Sequence, residues 1–495
     1  MKSATGLLVL VLVAGCTSLG HREDAAPGPV QACVQWYQAM DRAVADAGVQ
    51  DAQYARIAGF SHFRVDRTLA ALRGRAAQDP RAFQAFAERL GELDLDARRY
   101  EILNLPVADV ERLPRLDAGT TRQSALRRTA ECGRLLRELD LAKPEARATL
   151  LERASVPDDY SVAARVIGLY PLTRLAFASG VRRWEEQTLQ TFSESRPSPA
   201  AVRYAPPPVA PFPRSVIAGL LARSVLDPLG LPALTERELA ALAAAYAPSF
   251  EISIGGDQDR FGELRWSRGG EMPEVNPSEL AVYVKVGHTR YRERMLLQLA
   301  YTIWFPERPR LAALDLLAGR LDGIVWRVTL APDGEPLLYD SMHPCGCYHQ
   351  FFPTPRARPR EAPDRLDEWA FAPQQVPRVG EGERPMVRLA PGTHYIEQVG
   401  LVKGSDSLAR YGFRAYDELR SLQRLDGGRR SAFGPDGLIA GSERAERFLF
   451  WPMGIASAGA MRQWGRHATA FVGRRHFDDA DLMERRFELD FGEAP

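Results

Sequence analysis

Lysine is nearly missing from this chain. Only four of its 64 basic residues are lysines (Lys2, Lys143, Lys285 and Lys403), so its positive charge is carried by arginine. A skew of that size points to a GC-rich coding sequence. Arginine-rich stretches such as 355–360 and 473–475 therefore read as solvated loops and not as phosphate sites. Net charge is missing too. The 64 basic residues face 63 acidic ones, a balance of +1 that excludes a strong global field directed at nucleic acid. Beyond the N-terminus no run approaches the ~18 consecutive apolar residues of a membrane span, which excludes a polytopic membrane protein. The HExxH, Walker A, GxGxxG and GxSxG signatures are all absent. Ser457, in Gly-Ile-Ala-Ser-Ala-Gly, has the wrong offset for the last of these. No nucleotide-cofactor motif remains. What is present is 495 residues, 45% hydrophobic and 26% charged, the profile of a soluble globular chain too long for one ordinary core.

The N-terminus carries an address. Met1 and Lys2 give a short basic start, residues 6–13 are uniformly apolar apart from Gly6, and residues 12–16 read Leu-Val-Ala-Gly-Cys. The apolar run is too short for a permanent span of ~30 Å but fits a secretory leader. This segment resembles bacterial lipoprotein precursors, whose lipobox ends in cysteine. The resemblance implies a signal peptide over 1–15, lipidation of Cys16, and a tether over 16–30. Thr17 in place of Asp implies the outer membrane, facing the periplasm. The expected localisation is thus the bacterial cell envelope, with the lipid anchor as the only membrane contact and no nucleic-acid partner.

The remainder divides by hydrophobic period. Cys33, Trp36, Tyr37, Met40 and Val44 fall on one helical face, and Phe83, Phe86, Leu90 and Leu93 follow an Asp79-Pro80 start. Thr120 or Thr121 opens a helix bearing Cys132, Leu135, Leu136 and Leu139, and a helix pair is expected around Pro171. Residues 31–193 are read as an all-α domain. Prolines crowd 194–214, so 194–248 is expected to be a linker with connecting helices, one at 215–223 and one after a Thr235–Glu238 capping box. From 249 to 495 the period becomes two. Leu299, Tyr301, Ile303 and Phe305 alternate with Ala300, Thr302 and Trp304, as in a strand contacted on both faces. Residues 324–339 read as a hairpin around Pro332-Asp333-Gly334, 394–402 and 448–451 as further strands, and a short helix is expected near Ser457. The fold class is therefore α+β, an N-terminal helical domain followed by a β-rich, antiparallel domain with a few helices.

Five cysteines are present, and Cys16 is assigned to lipid. In an oxidising compartment Cys33 and Cys132, each opening an apolar helix stripe, are expected to form a structural disulfide. The most unusual segment is His343-Pro344-Cys345-Gly346-Cys347-Tyr348-His349. His343, Cys345, Cys347 and His349 alternate with residues suited to tight bends, and a fold-back at Gly346 would gather them around one transition metal, Zn or Cu. His394 and His467 are candidate further ligands, with Asp340 as a carboxylate orienting an imidazole. His288 and His476 read as structural histidines. Asp257, Asp259 and Glu263 depart from calcium-loop spacing and read as a solvated hairpin loop. Three functional readings follow. The first is an envelope lipoprotein with a metal centre, acting in hydrolysis or redox chemistry. The second is a non-catalytic binding or scaffolding lipoprotein with a Cys345–Cys347 clip. The third is a thiol–disulfide enzyme using that pair.

Overall fold

The computed structural model describes residues 28–114, 119–194, 201–208, 212–380, 382–403 and 409–492. Cys16, the leader and most of the tether lie outside the described residues. The first part of the chain is helical. Its elements are α1 (Pro29–Asp46), α2 (Arg67–Gln78), α3 (Pro80–Asn104), α4 (Val107–Glu111), α5 (Arg122–Leu141), α6 (Pro144–Arg153), α7 (Val162–Ile167) and α8 (Tyr170–Glu194). Their starts follow the expected chemistry. Asp79 caps α3 with Pro80 in the first turn, and Thr121 caps α5 through a reciprocal bond with Ser124. The stripe Cys33, Trp36, Tyr37, Met40 and Val44 is wholly buried. Cys33 and Cys132 are joined by a disulfide across α1 and α5, as expected.

The region is not purely helical. Strands β1 (Ala55–Ile57) and β2 (Phe60–Val65) form a hairpin ahead of α2. Gly59 turns it with a φ of +86°. Its sequence does not advertise a strand, because five of the six β2 residues are buried, the polar His62 and Arg64 among them, and no apolar–polar alternation results.

The supposed linker also holds a strand. Between the prolines, β3 (Ala201–Ala205) pairs antiparallel with β4 (Ser249–Ser253). Prolines block pairing only where they stand, and residues 201–205 contain none. The two expected helices are α9 (Arg214–Ala222) and α10 (Glu236–Ala245), the latter opened by the Thr235–Glu238 capping box.

The β-rich part begins with β4 and the small hairpin β5 (Glu263–Trp266) and β6 (Pro273–Asn276). It continues through β7 (Ala281–Tyr291), β8 (Arg294–Arg308), β9 (Gly319–Leu330), β10 (Pro336–Met342), β11 (Gln350–Pro353), β12 (Ala357–Pro359), β13 (Glu383–Leu389), β14 (Ile396–Lys403), β15 (Ala409–Arg410) and β16 (Gly412–Ala415). Two sheets result. The larger has the order β11-β10-β9-β8-β7-β16 and the other β14-β13-β4-β3-β15. Most neighbours are antiparallel, with parallel pairings at β16–β7, β13–β4 and β15–β3. Leu299, Tyr301, Ile303 and Phe305 of β8 face Phe250, Val387 and Leu389 of the second sheet in the main core. Ala300 and Trp304 point the other way, under Met461 and Trp464 of the C-terminal segment. Burial on both faces is why β8 and β9 read as nearly continuous apolar runs.

Two C-terminal expectations differ from what forms. Arg447–Phe450 is a short helix, α11, followed by a 3-10 turn at Trp451–Met453. A four-residue apolar run does not distinguish helix from strand, and Pro452 cannot donate to a ladder. Around Ser457 the chain makes turns and no helix, with Ser457 itself at a φ of +47°. A last helix, α12 (Leu482–Arg486), precedes the terminal strand. Among the described residues no helix is long and apolar enough to cross a membrane.

The helical and β-rich parts share contacts and are not beads on a string. Leu229, Leu231 and Met295 join the core of α2 and α3. Trp184 of α8 meets Tyr348 and Phe371 at ring-centroid distances of 5.5 and 5.4 Å.

Candidate functional site

The segment 343–349 links β10 to β11, and it bends as its sequence suggests. The amide of Gly346 donates to the carbonyl of His343 (2.8 Å), and the amide of His343 donates to that of Cys347 (3.0 Å). Gly346 has a φ of +89°, and a Cβ there would stand 2.4 Å from the Ala468 carbonyl oxygen. Only glycine fits. His467 pins the turn from outside, with Nε2 3.1 Å from the Pro344 carbonyl oxygen, and the Arg462 guanidinium donates to the Cys345 carbonyl (3.1 Å).

The bend brings the sulfurs together and sends the imidazoles apart. Cys345 and Cys347 are buried free thiols, and the Cys347 amide donates to the Cys345 sulfur (3.4 Å). A thiol–thiol hydrogen bond, reinforced by burial, holds Cys347 well above the usual thiol range. His343 turns to one side and donates from Nδ1 to Asp322 of β9 (3.0 Å). His349 turns to the other and donates from Nε2 to Asp340 of β10 (2.9 Å). Burial outweighs that carboxylate and lowers His349 to about 3. Asp340 therefore orients an imidazole, while Arg327 engages both its oxygens at 2.9 and 2.5 Å.

His394 belongs to the His343 side. Its Nδ1 donates to the second oxygen of Asp322 (2.9 Å), and its Nε2 lies 3.4 Å from Asp259. The result is a buried alternating array, Asp259–His394–Asp322–His343, with His394 stacked on Phe305 at 3.9 Å. Burial opposes charge on His394, but its two carboxylate neighbours prevail and raise it. Asp259 is no solvated loop residue, for it also accepts from the amides of Gly255, Gly256 and Gly392.

The structure thus does not bring His343, Cys345, Cys347 and His349 to one point. Among the described residues no group of three or more His, Cys, Asp or Glu is placed to hold an ion. The physical reason is competition: each imidazole has a buried carboxylate closer than any shared centre. His394 and His467 are likewise taken, by Asp322 and by the Pro344 carbonyl. Two thiols and two imidazoles suit Zn or Cu by chemistry, but as placed here they do not form a four-ligand site.

What the turn does build is one wall of a cavity of about 560 Å³. Cys347, Tyr348 and His349 face α8 across it, with Phe177, Gly180, Val181 and Trp184 on the helix side. Phe371, Trp369, Phe450 and Phe471 close the apolar lining. Its polar groups include Glu185, Glu368, Glu446, Arg475, Tyr348 and Tyr395. Glu368 is tied to the amides of Phe471 and Val472 (2.6 and 3.0 Å). Glu185 and Glu446 are different. Among the described residues neither carboxyl group has a hydrogen-bond or ion-pair partner, and burial raises each to about 7. Arg444 and Arg308 only partly offset that effect at Glu446.

Glu185, Glu446, Trp184 and Asp322 were not among the residues the sequence singled out. Asp322 left at most a weak signal, a carboxylate two residues ahead of the apolar run that begins at Ile324. The others left none, because α8 looks like any amphipathic helix and the cavity joins segments far apart in the chain. Comparison with family models, curated proteins and solved structures finds no match for the chain.

Proposed function

We propose that this chain is a lipid-anchored cell-envelope lipoprotein that binds an amphipathic small molecule between α8 and the 343–349 turn. The observation that carries the reading is the cavity. Its volume of about 560 Å³ lies in the range of ligand pockets, its lining is largely aromatic, and its two free carboxyl groups stand where a ligand's polar end would sit. A carboxyl group raised to about 7 is partly neutral and accepts or donates a hydrogen bond. A hydroxyl or amine head suits it better than an anionic one. The lipobox resemblance of residues 12–16 supports the envelope setting.

The test is calorimetric titration of the chain from residue 17 with a long-chain monoacylglycerol. Saturable one-to-one binding is expected, weakened at least tenfold by Gly180→Phe. A Cβ at Gly180 meets nothing within 4 Å, so the new ring would enter the cavity without displacing the fold. Absence of binding, or binding indifferent to Gly180→Phe, defeats the reading.

One observation favours a second reading. Cys347 lines the same cavity with the free thiol of Cys345 behind it, which supports reduction of a disulfide-bearing ligand held there, the pair closing to a disulfide as the ligand's is opened. Loss of disulfide exchange in Cys345→Ser, with ligand affinity retained, would favour it.

A further inference from the structure

A group of exposed apolar side chains lies beside the cavity. Val162, Val166 and Ile167 project from α7, and Leu169, Leu172 and Leu175 continue through the turn into α8. Phe448, Leu449 and Trp451 stand next to them on α11 and the following turn. All nine are between 43% and 73% exposed. The two groups adjoin through a close approach of Gly168 to Pro452, where a Cβ would meet the proline at 2.5 Å. Phe177 and Phe450 also touch, with ring centroids 5.2 Å apart. Isolated exposed apolar side chains need no explanation, but a contiguous set of this size marks a docking surface.

The surface runs into the cavity. Leu172, Ala176, Gly180 and Trp184 are spaced by four and so share one ridge of α8. Leu172 begins it on the exposed face, and Ala176, Gly180 and Trp184 line the cavity. Phe450 is the corresponding link on the other side, lining the cavity between exposed Leu449 and Trp451.

We infer that this face docks onto a phospholipid bilayer, and that the cavity takes the acyl chain of a lipid drawn from it. The inference deepens the ligand-binding reading and rests on it for the cavity's role. Three features select a bilayer over a second protein copy. The face continues into an apolar cavity, which a lipid can enter and a flat protein partner does not need. It carries Trp451 and Phe448, with the Arg447 guanidinium 4.9 Å over the Phe448 ring, the pairing of aromatic and basic groups typical of an interface with headgroups. The chain outside the described residues supplies proximity. If Cys16 is acylated, the eleven residues 17–27 reach at most about 40 Å, which keeps Gly28 and the body near the membrane.

The experiment is co-sedimentation of the unacylated chain from residue 17 with vesicles of phosphatidylcholine containing phosphatidylglycerol. The wild-type chain is expected to sediment with the vesicles. Ile167→Glu/Phe448→Glu is expected to lose at least tenfold in vesicle affinity while its monoacylglycerol titration stays unchanged. That second readout shows the variant is folded, because both positions are exposed and neither lines the cavity. Wild-type protein left in the supernatant overturns docking. So does a dimer, detected by light scattering, that the double variant dissolves, for then a second copy covers the face. Docking without any acyl-ligand titration rejects the cavity reading alone. Mass spectrometry of residue 16 in exported protein tests the lipid anchor separately.

Discussion

Two of the places where the molecule buries carboxylates treat them differently. Beneath α1 and α3, Arg64 donates to Asp94 and Glu101 (3.2 and 2.7 Å), and Arg98 pairs with Asp41 and Glu101 (2.6 and 3.2 Å). Burial pushes Glu101 up, but Arg64 and Arg98 prevail and hold it at about 2. Around the cavity, Glu446 is buried as well and is raised to about 7 with no such partner among the described residues. Both sites cost desolvation. At Glu101 the paired arginines recover it inside the fold, although burial still prevails at neighbouring Asp94; Glu446 leaves capacity for something else to satisfy.

That contrast can be broken by mutation. The largest effect belongs to the sealed network. Glu101→Gln leaves two buried guanidiniums short of a partner, and urea denaturation should show about 3–5 kcal/mol less stability. A small change would mean that water reaches the network. Cys33→Ser opens a cross-link spanning 99 residues and is expected to cost about 2–5 kcal/mol, compared with the wild type under non-reducing conditions. Glu446→Gln should act in the opposite direction. Unfolded, Glu446 ionises near ~4.3; folded, near 7. Between those values the native chain keeps a proton the unfolded chain has shed. Stability is therefore full below the lower value and is lost as pH rises through the upper one. The variant should be more stable than wild type by roughly 1–3 kcal/mol at pH 8 and no different at pH 4. Equal shifts at both values would show that Glu446 is not the titrating group. The smallest effect is expected at Gly180. Replacing it by alanine removes backbone freedom in the middle of α8 and should stabilise by about 0.5–1 kcal/mol.

The same contrast explains what could be read from the residues. The α+β division, the α1 stripe, the capped starts of α3, α5 and α10, the β9–β10 hairpin and the Cys33–Cys132 bridge were legible because each depends on local period or on a pair of matched stripes. The strand within 201–205, the hairpin at 55–65 and the helix at Arg447–Phe450 were not, since short runs take the structure their surroundings impose. At the site, the bend at Gly346 was visible in the alternation of glycine and proline with cysteine and histidine. Its consequence was not. Asp322 and Asp340 come from neighbouring strands, and only the sheet register shows that they reach the two imidazoles before any common centre.

The surface adjoining the cavity extends the comparison outward. Arg67 ties α2 to Asp159 and Asp478, so even the boundary between helical and β-rich parts is stitched by ions where it is closed. Beside α7 and α11 the corresponding surface is apolar and unpaired. Closed regions carry compensated charge, and open ones carry apolar surface with free carboxyl groups behind it.

The most direct measurement is the titration of the chain from residue 17 with long-chain monoacylglycerol, run beside Gly180→Phe. A single saturable site in the wild type, weakened at least tenfold by the added ring, is the predicted result. Heat of dilution alone, or identical isotherms for the two proteins, would contradict it.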